Sequence, residues 1–224
     1  MKAPDAPTPE LSAPRRKTPW KWAAAIVLCG LAAWFVSENA GRWKDRFLPR
    51  KLRTVDENRL YASGQIDRHL IAGVLSDHHI GVIVCLDADD PNDADVTAEI
   101  QAASNAGIER HVDPLNGDGT GDIHQYANAV EQIVSALKAG KTVLLHCSSG
   151  AQRSNGATFY FRVFIEHWNP GDAAREMIRN SFSPQKNPAL IPYLNEHMAE
   201  MAHLLLANGV ITQIPDPMPR ISIQ

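Results

Sequence analysis

The run Ile80-Gly81-Val82-Ile83-Val84-Cys85-Leu86 does most to limit what this chain can fold into. Successive side chains of a strand point to opposite sides, and none in this run suits water. It therefore reads as a strand covered on both faces, with helices above and below its sheet. Thr142-Val143-Leu144-Leu145 repeats the pattern, and Ile108 to Val112 is a shorter candidate. Leu60-Tyr61-Ala62-Ser63 is a further strand-like run, ended by Gly64. Helical patterning is read over residues 96–106 and 123–139, and a long helix is expected from about Ser154 to Trp168. In that last helix Tyr160, Val163, Phe164 and Trp168 recur at core-packing spacing. Strands alternating with helices predict an α/β fold with a mostly parallel central sheet flanked by helices.

Ahead of this pattern lies a different kind of sequence. Residues 1–18 hold Pro4, Pro7, Pro9 and Pro14 among small and charged residues, and read as a disordered tail. Residues 19–37 contain the apolar stretch Trp20–Val36, in which Lys21 is the only charge. Its length is at the short end of what spans a bilayer, and Trp20, Trp22 and Trp34 sit near its ends, where indoles favour the headgroup layer. It is expected to be one N-terminal transmembrane helix, with a cleaved signal peptide or a core helix as the alternatives. Cations precede it (Arg15, Arg16, Lys17) and follow it (Arg42, Lys44, Arg46), so charge bias does not assign a side. Residues 38–52 read as a basic juxtamembrane linker, 53–207 as the main folded domain and 208–224 as a C-terminal tail.

With 224 residues, 44% hydrophobic and 21% charged, there is room for one packed domain plus appendages. A net charge of -3 lacks the basic excess of a nucleic-acid binder. Three cysteines, Cys29, Cys85 and Cys147, cannot form a fully paired framework and match no zinc spacing. No metal site and no cofactor are expected. Gly140-Lys141-Thr142 looks like the end of a nucleotide-binding loop, but Ser135 stands where that pattern needs glycine, and the triplet precedes its strand.

Chemistry concentrates in His146-Cys147-Ser148-Ser149-Gly150-Ala151-Gln152-Arg153-Ser154. A buried strand delivers Cys147 to a short loop, and a helix starts directly behind it. Loop amides and a helix N-terminus that converge on one point make an anion site. Gly150 lets the backbone turn inward, and the planar fork of Arg153 can hold two phosphate oxygens. The same field favours thiolate over thiol at Cys147, which is then placed for attack on phosphorus. Ser154 can hydrogen-bond the sulfur and ease its departure. His146 is expected to order the loop rather than act as a base. The cradle itself comprises His146, Ser148, Ser149, Gly150, Ala151 and Gln152.

This segment resembles the His-Cys-x-x-Gly-x-x-Arg-Ser signature of the protein tyrosine and dual-specificity phosphatase superfamily, with every fixed position met. The resemblance extends over roughly residues 53–207. Leu60-Tyr61-Ala62-Ser63-Gly64-Gln65 is similar to the opening strand of the bacterial and dual-specificity branch, and Asn187-Pro188-Ala189-Leu190 to its segment before the final helix. It implies a dual-specificity-phosphatase-like fold and metal-free hydrolysis of a phosphorylated protein or small phosphomonoester through a phosphocysteine. It also implies a general acid, an aspartate about thirty residues before the cysteine. Asp118, between Gly117 and Gly119, is the first choice and Asp113 the second, while Asp122 is better explained as a helix cap. Asp-Gly-Thr-Gly-Asp lacks the proline of the family's acid loop. Cys85 reads as a core residue, or by resemblance as a partner that traps oxidised Cys147. The variable cradle positions carry no lysine or arginine, which leans toward singly phosphorylated substrates. The alternative reading is a catalytically weak module that binds phosphorylated ligands at a membrane.

Overall fold

The computed structural model describes residues 24–30, 34 and 44–222. The tail expected over 1–18 and most of the span expected over 19–37 lie outside the described residues; residues 24–30 are helical and exposed. Among the described residues no helix is long and apolar enough to cross a membrane. The chain divides into Met1–Trp43 and Lys44–Gln224. The second unit begins earlier than expected, taking in much of the stretch read as a linker.

Within that unit the elements run β1 (Arg53–Asp56), β2 (Leu60–Ser63), α1 (Ile71–Asp77), β3 (Ile80–Cys85), α2 (Ala94–Ala106), β4 (Glu109–Val112), α3 (Ile123–Lys138), β5 (Thr142–His146), α4 (Arg153–Phe164), α5 (Pro170–Arg179), α6 (Leu190–Glu196) and α7 (Met198–Ala207). The sheet order is β1-β2-β5-β3-β4. β2, β5, β3 and β4 are parallel, and β1 joins the edge antiparallel to β2. The sheet is therefore mixed, with a parallel centre.

Alternation along the parallel strands sorts their side chains onto two faces. Leu60, Ala62, Val82, Val84, Val143 and Leu145 face one core, which α3, α4 and the C-terminal helices complete. Tyr61, Ile83 and Leu144 face the other, against Ile71, Val74 and Leu75 of α1 and Ala103 of α2. Both faces are covered, which is why β3 and β5 carry continuous apolar sequence.

Helix starts follow from side-chain caps. Asp93 accepts from the N–H groups of Asp95 and Val96 at the head of α2, and Asp122 from that of His124 at the head of α3. The helix expected to reach Trp168 ends at Phe164. Pro170 disfavours helical backbone at Asn169, which adopts extended geometry and caps a separate helix, α5. Trp168 thus lies off the α4 face, stacked over the Arg162 guanidinium at 4.2 Å. The segment read as a tail also contributes to the core: Ile221 is buried and is held by Asn195 through both its N–H and its carbonyl.

α4 is buried along its whole length, and its polar side chains are consequently bonded. Arg162 is the clearest case. It donates to the Val55 carbonyl of β1 at 2.6 Å, to both Glu176 oxygens of α5 at 2.8 and 2.9 Å, and to Glu166 at 2.5 Å. Arg162→Met should lower unfolding free energy by about 3 kcal/mol in urea titration, because it strands the Glu176 carboxylate and a strand carbonyl. Arg162→Lys, which keeps the charge but loses the fork, should recover only part of that loss.

Candidate active site

β5 ends at His146, and the loop Cys147–Gln152 curls back at the C-terminal edge of the sheet to start α4. Gln152 precedes that helix in helical geometry and makes no side-chain cap, so the first-turn N–H groups stay available to a ligand. Gly150 adopts φ 69°, and a Cβ there would lie 2.6 Å from the Gly64 nitrogen and 2.8 Å from the Ser63 carbonyl carbon. Both obstacles are backbone, so the glycine is required on two counts.

Inward-turned amides leave the carbonyls of this loop pointing outward, and each needs a donor. The Ser148 carbonyl accepts from the Gln65 N–H and from Arg50 Nη1, each at 3.1 Å. The Gly150 carbonyl accepts from Arg53 Nη1 at 3.1 Å, and the other arm of Arg53 donates to Asn155 Oδ1 at 2.8 Å. Asn155 in turn donates to the Ala151 carbonyl at 2.8 Å. Arg50 and Arg53 have no place in the signature; their basic character was legible in the sequence, but not that they fold back onto this loop.

The Cys147 sulfur is fully buried at the focus of the loop. Burial alone would raise its pKa. The Ser154 N–H, the Arg153 charge, the Ser154 hydroxyl at 3.6 Å and the Gly150 N–H at 3.3 Å outweigh it and bring the thiol below its ordinary value. Arg153 donates from Nη2 to the Ser148 hydroxyl at 2.9 Å and from Nη1 to the Leu86 carbonyl and the Asp87 carboxylate, leaving Nε buried without a partner. Ser149 bonds Gln152 across the loop at 2.8 Å, and Ala151 is buried.

His146 is brought to this region but faces away from the cradle. It is 1% exposed, with Nε2 at 3.1 Å from Glu99 Oε1. A substrate-contacting place for His146 is thus corrected to a place behind the loop, because as the last residue of β5 its side chain turns to the α2 face. Glu99 also accepts from Arg110 Nε at 2.9 Å and Gln65 Nε2 at 3.1 Å. Burial pushes Glu99 up, but the His146 charge and the bonds from His146 and Arg110 hold it at about 2. Burial likewise opposes protonation of His146, and the Glu99 charge more than reverses this, so the pair is ionic. Cys85, Glu99 and His146 form the one buried group of metal-ligand types among the described residues, but Glu99 is already saturated by Arg110, Gln65 and His146.

The two acid candidates separate clearly. Asp113 is buried, its N–H donates to the Cys85 carbonyl, and burial raises its pKa against the pull of Asn128 and Gln132 on α3. Asp118 is half-buried and accepts from the Thr120 N–H at 2.9 Å and hydroxyl at 2.8 Å, bonds that lower its pKa. The next residue, Gly119 (φ 88°), is pressed so close to Gln152 of the cradle and Leu190 that a Cβ would meet them at 3.4 and 2.9 Å. The Tyr126 hydroxyl donates to the Gly119 carbonyl at 2.7 Å. The Asp118 segment therefore borders the cradle, whereas Asp113 is turned toward α3.

Arg53→Met should raise the Cys147 pKa by roughly one unit, read as the pH midpoint of iodoacetamide alkylation, with Arg53→Lys intermediate. Glu99→Gln should cost about 3–5 kcal/mol of stability near neutral pH by leaving His146 and Arg110 without their counter-charge. The Glu99 contribution is present above the ordinary 4.5 and lost as pH falls toward about 2, so the wild-type advantage should shrink across that window in pH-dependent unfolding.

No family profile and no curated protein sequence matches the chain. Solved structures do. TpbA of P. aeruginosa is 20% identical with a TM-score of 0.56, the match covering 71% of this chain and 91% of that one. The core catalytic domain of the PP-IP phosphatase SIW14 from S. cerevisiae is 15% identical with a TM-score of 0.56, over 76% and 97%. Tk-PTP in its active form is 20% identical with a TM-score of 0.53, over 65% and 97%. At such identities the likeness speaks for architecture alone: this chain shares the fold of these solved domains.

Proposed function

We propose that the protein is a cysteine-dependent phosphomonoester hydrolase of the tyrosine/dual-specificity type, acting on a phosphorylated protein or small phosphomonoester. The observation that carries the reading is the Cys147 sulfur, held by the Gly150 N–H and the Ser154 N–H and hydroxyl beside Arg153, with its pKa lowered. In the proposed reaction the thiolate attacks phosphorus and the bond to the leaving oxygen breaks. Asp118 supplies the proton to that oxygen. Water then attacks the phosphocysteine, Asp118 takes its proton, and the Ser154 hydroxyl donates to the departing sulfur. The N–H groups and Arg153 hold the equatorial oxygens through both steps. Two of the structural relatives point to phosphate chemistry of this kind: TpbA with its cysteine replaced binds pTyr, and SIW14 is a PP-IP phosphatase.

The second reading, a catalytically weak module that captures phosphorylated ligands, draws on the Thr120 bonds that hold the Asp118 carboxylate and lower its pKa. We also propose attachment to a membrane through residues 20–36; deleting them should release the protein from membranes washed with alkaline carbonate.

Hydrolysis of an aryl phosphate with chelator present tests the main reading. Cys147→Ser should abolish turnover while retaining phosphate-analogue binding, and Asp118→Asn should lower kcat by about 10²-fold or more. Asp113→Asn should act mainly on stability. Wild-type binding without turnover would instead establish the module.

A further inference from the structure

Phe47 and Leu48 are neighbouring large apolar residues, 73% and 56% exposed. They sit on a turn closed by their own N–H groups, which donate to the Lys44 carbonyl at 3.1 and 2.9 Å. Around them stand Lys44, Arg46, Arg50 and Lys51, while the single acid of the turn, Asp45, is paired with Arg50. Lys44, Arg46 and Lys51 are exposed. An ordered apolar tip ringed by cations matches the lipid–water interface, where apolar groups enter the headgroup boundary and cations meet anionic lipid.

The tip is fastened to the outer side of the cradle loop. The Arg50 carbonyl accepts from the Gly64 N–H at 2.8 Å, and its guanidinium donates to the Ser148 carbonyl at 3.1 Å. Lys51 lies near enough to Cys147 to feel the thiolate charge. The acidic stretch 87–95 occupies the same end of the sheet, but most of its carboxylates are committed. Asp87 pairs with Arg153, Asp89 with Arg110 and Asp95 with Arg68, and Asp93 caps α2. The apolar run Trp20–Val36 ends eight residues before Lys44. At 3.3–3.6 Å per residue, those residues reach at most about 29 Å.

We propose that the segment 44–51 docks the cradle-bearing unit on an anionic lipid surface, with Phe47 and Leu48 entering the headgroup layer and the cradle loop held beside it. Binding does not depend on the phosphatase reading. Its consequence does: substrates are met at the bilayer surface rather than in bulk water.

The unit 44–224 is compact and contains both cores, so it is tested without the upstream apolar run. It is sedimented with phosphatidylcholine vesicles, with and without about a fifth of phosphatidylserine. Wild type should bind the anionic vesicles at least about tenfold more tightly than the neutral ones, and high salt should release it. Phe47→Asp/Leu48→Asp should lose at least about tenfold in vesicle affinity while keeping its melting temperature and its rate on soluble aryl phosphate. Equal binding by wild type and the double variant, or no binding by wild type, overturns the proposal. Anionic-vesicle binding that the double variant loses, in a protein that hydrolyses no aryl phosphate, would sink the phosphatase reading and leave this one standing.

Discussion

The site depends on an interaction outside its own signature, the bonding of the loop carbonyls that point away from the ligand. A peptide unit that aims its N–H inward must aim its C=O outward, so the six-residue turn cannot exist unless its back is satisfied. Gln65, Arg50, Arg53 and Asn155 meet that need from the segment after β2, the segment before β1, β1 itself and α4. Two of the four donors are guanidinium groups, so the bonds that shape the cradle also add positive potential around Cys147. Geometry and charge are therefore set by the same contacts, and neither can be changed alone.

Behind the loop, the buried Glu99–His146–Arg110 group ties α2, β5 and β4 together at the same end of the sheet. A buried pair of this kind gives little net stability, because both charges lose their water. It does fix the position of the last β5 residue, and Cys147 is the next one along. The hub at Arg162 does the same for the far end of α4. Cys147 and Arg153 thus sit between two ionic anchors rather than at the end of a free loop.

Much of this was legible in the sequence, for identifiable reasons. β3 and β5 announce themselves because parallel strands covered on both faces have no polar side to hide. The residues of the cradle itself are local in sequence and fall within nine positions. What escaped detection was long-range or broken in pattern. Arg53 reaches Gly150 across nearly a hundred residues, and no local rule connects them. The four-residue β1 is too short and too polar to carry a period. The end of α4 was overrun because Trp168 continued a helical spacing that Asn169-Pro170 interrupts. Ile221 was read as part of a tail because Pro215 to Pro219 precede it, though proline in a segment does not prevent a single apolar anchor beyond it.

Under the proposed function, the pairing of Arg153 with Asp87 would shape how ligands are chosen. An empty phosphate site built only from cations and amide hydrogens would attract any passing anion. Here the guanidinium already holds a carboxylate, and half of that carboxylate is buried with no other donor. On the proposed reading, a newcomer that claims Nη1 must displace Asp87, while Nε offers it a donor that the acid does not use. A doubly charged phosphate monoester would bring more charge to that contest than a carboxylate or a chloride, with oxygens left to fill the amide ring. On that reading the resident acid would act as a charge threshold, disfavouring weak anions by competition rather than by shape.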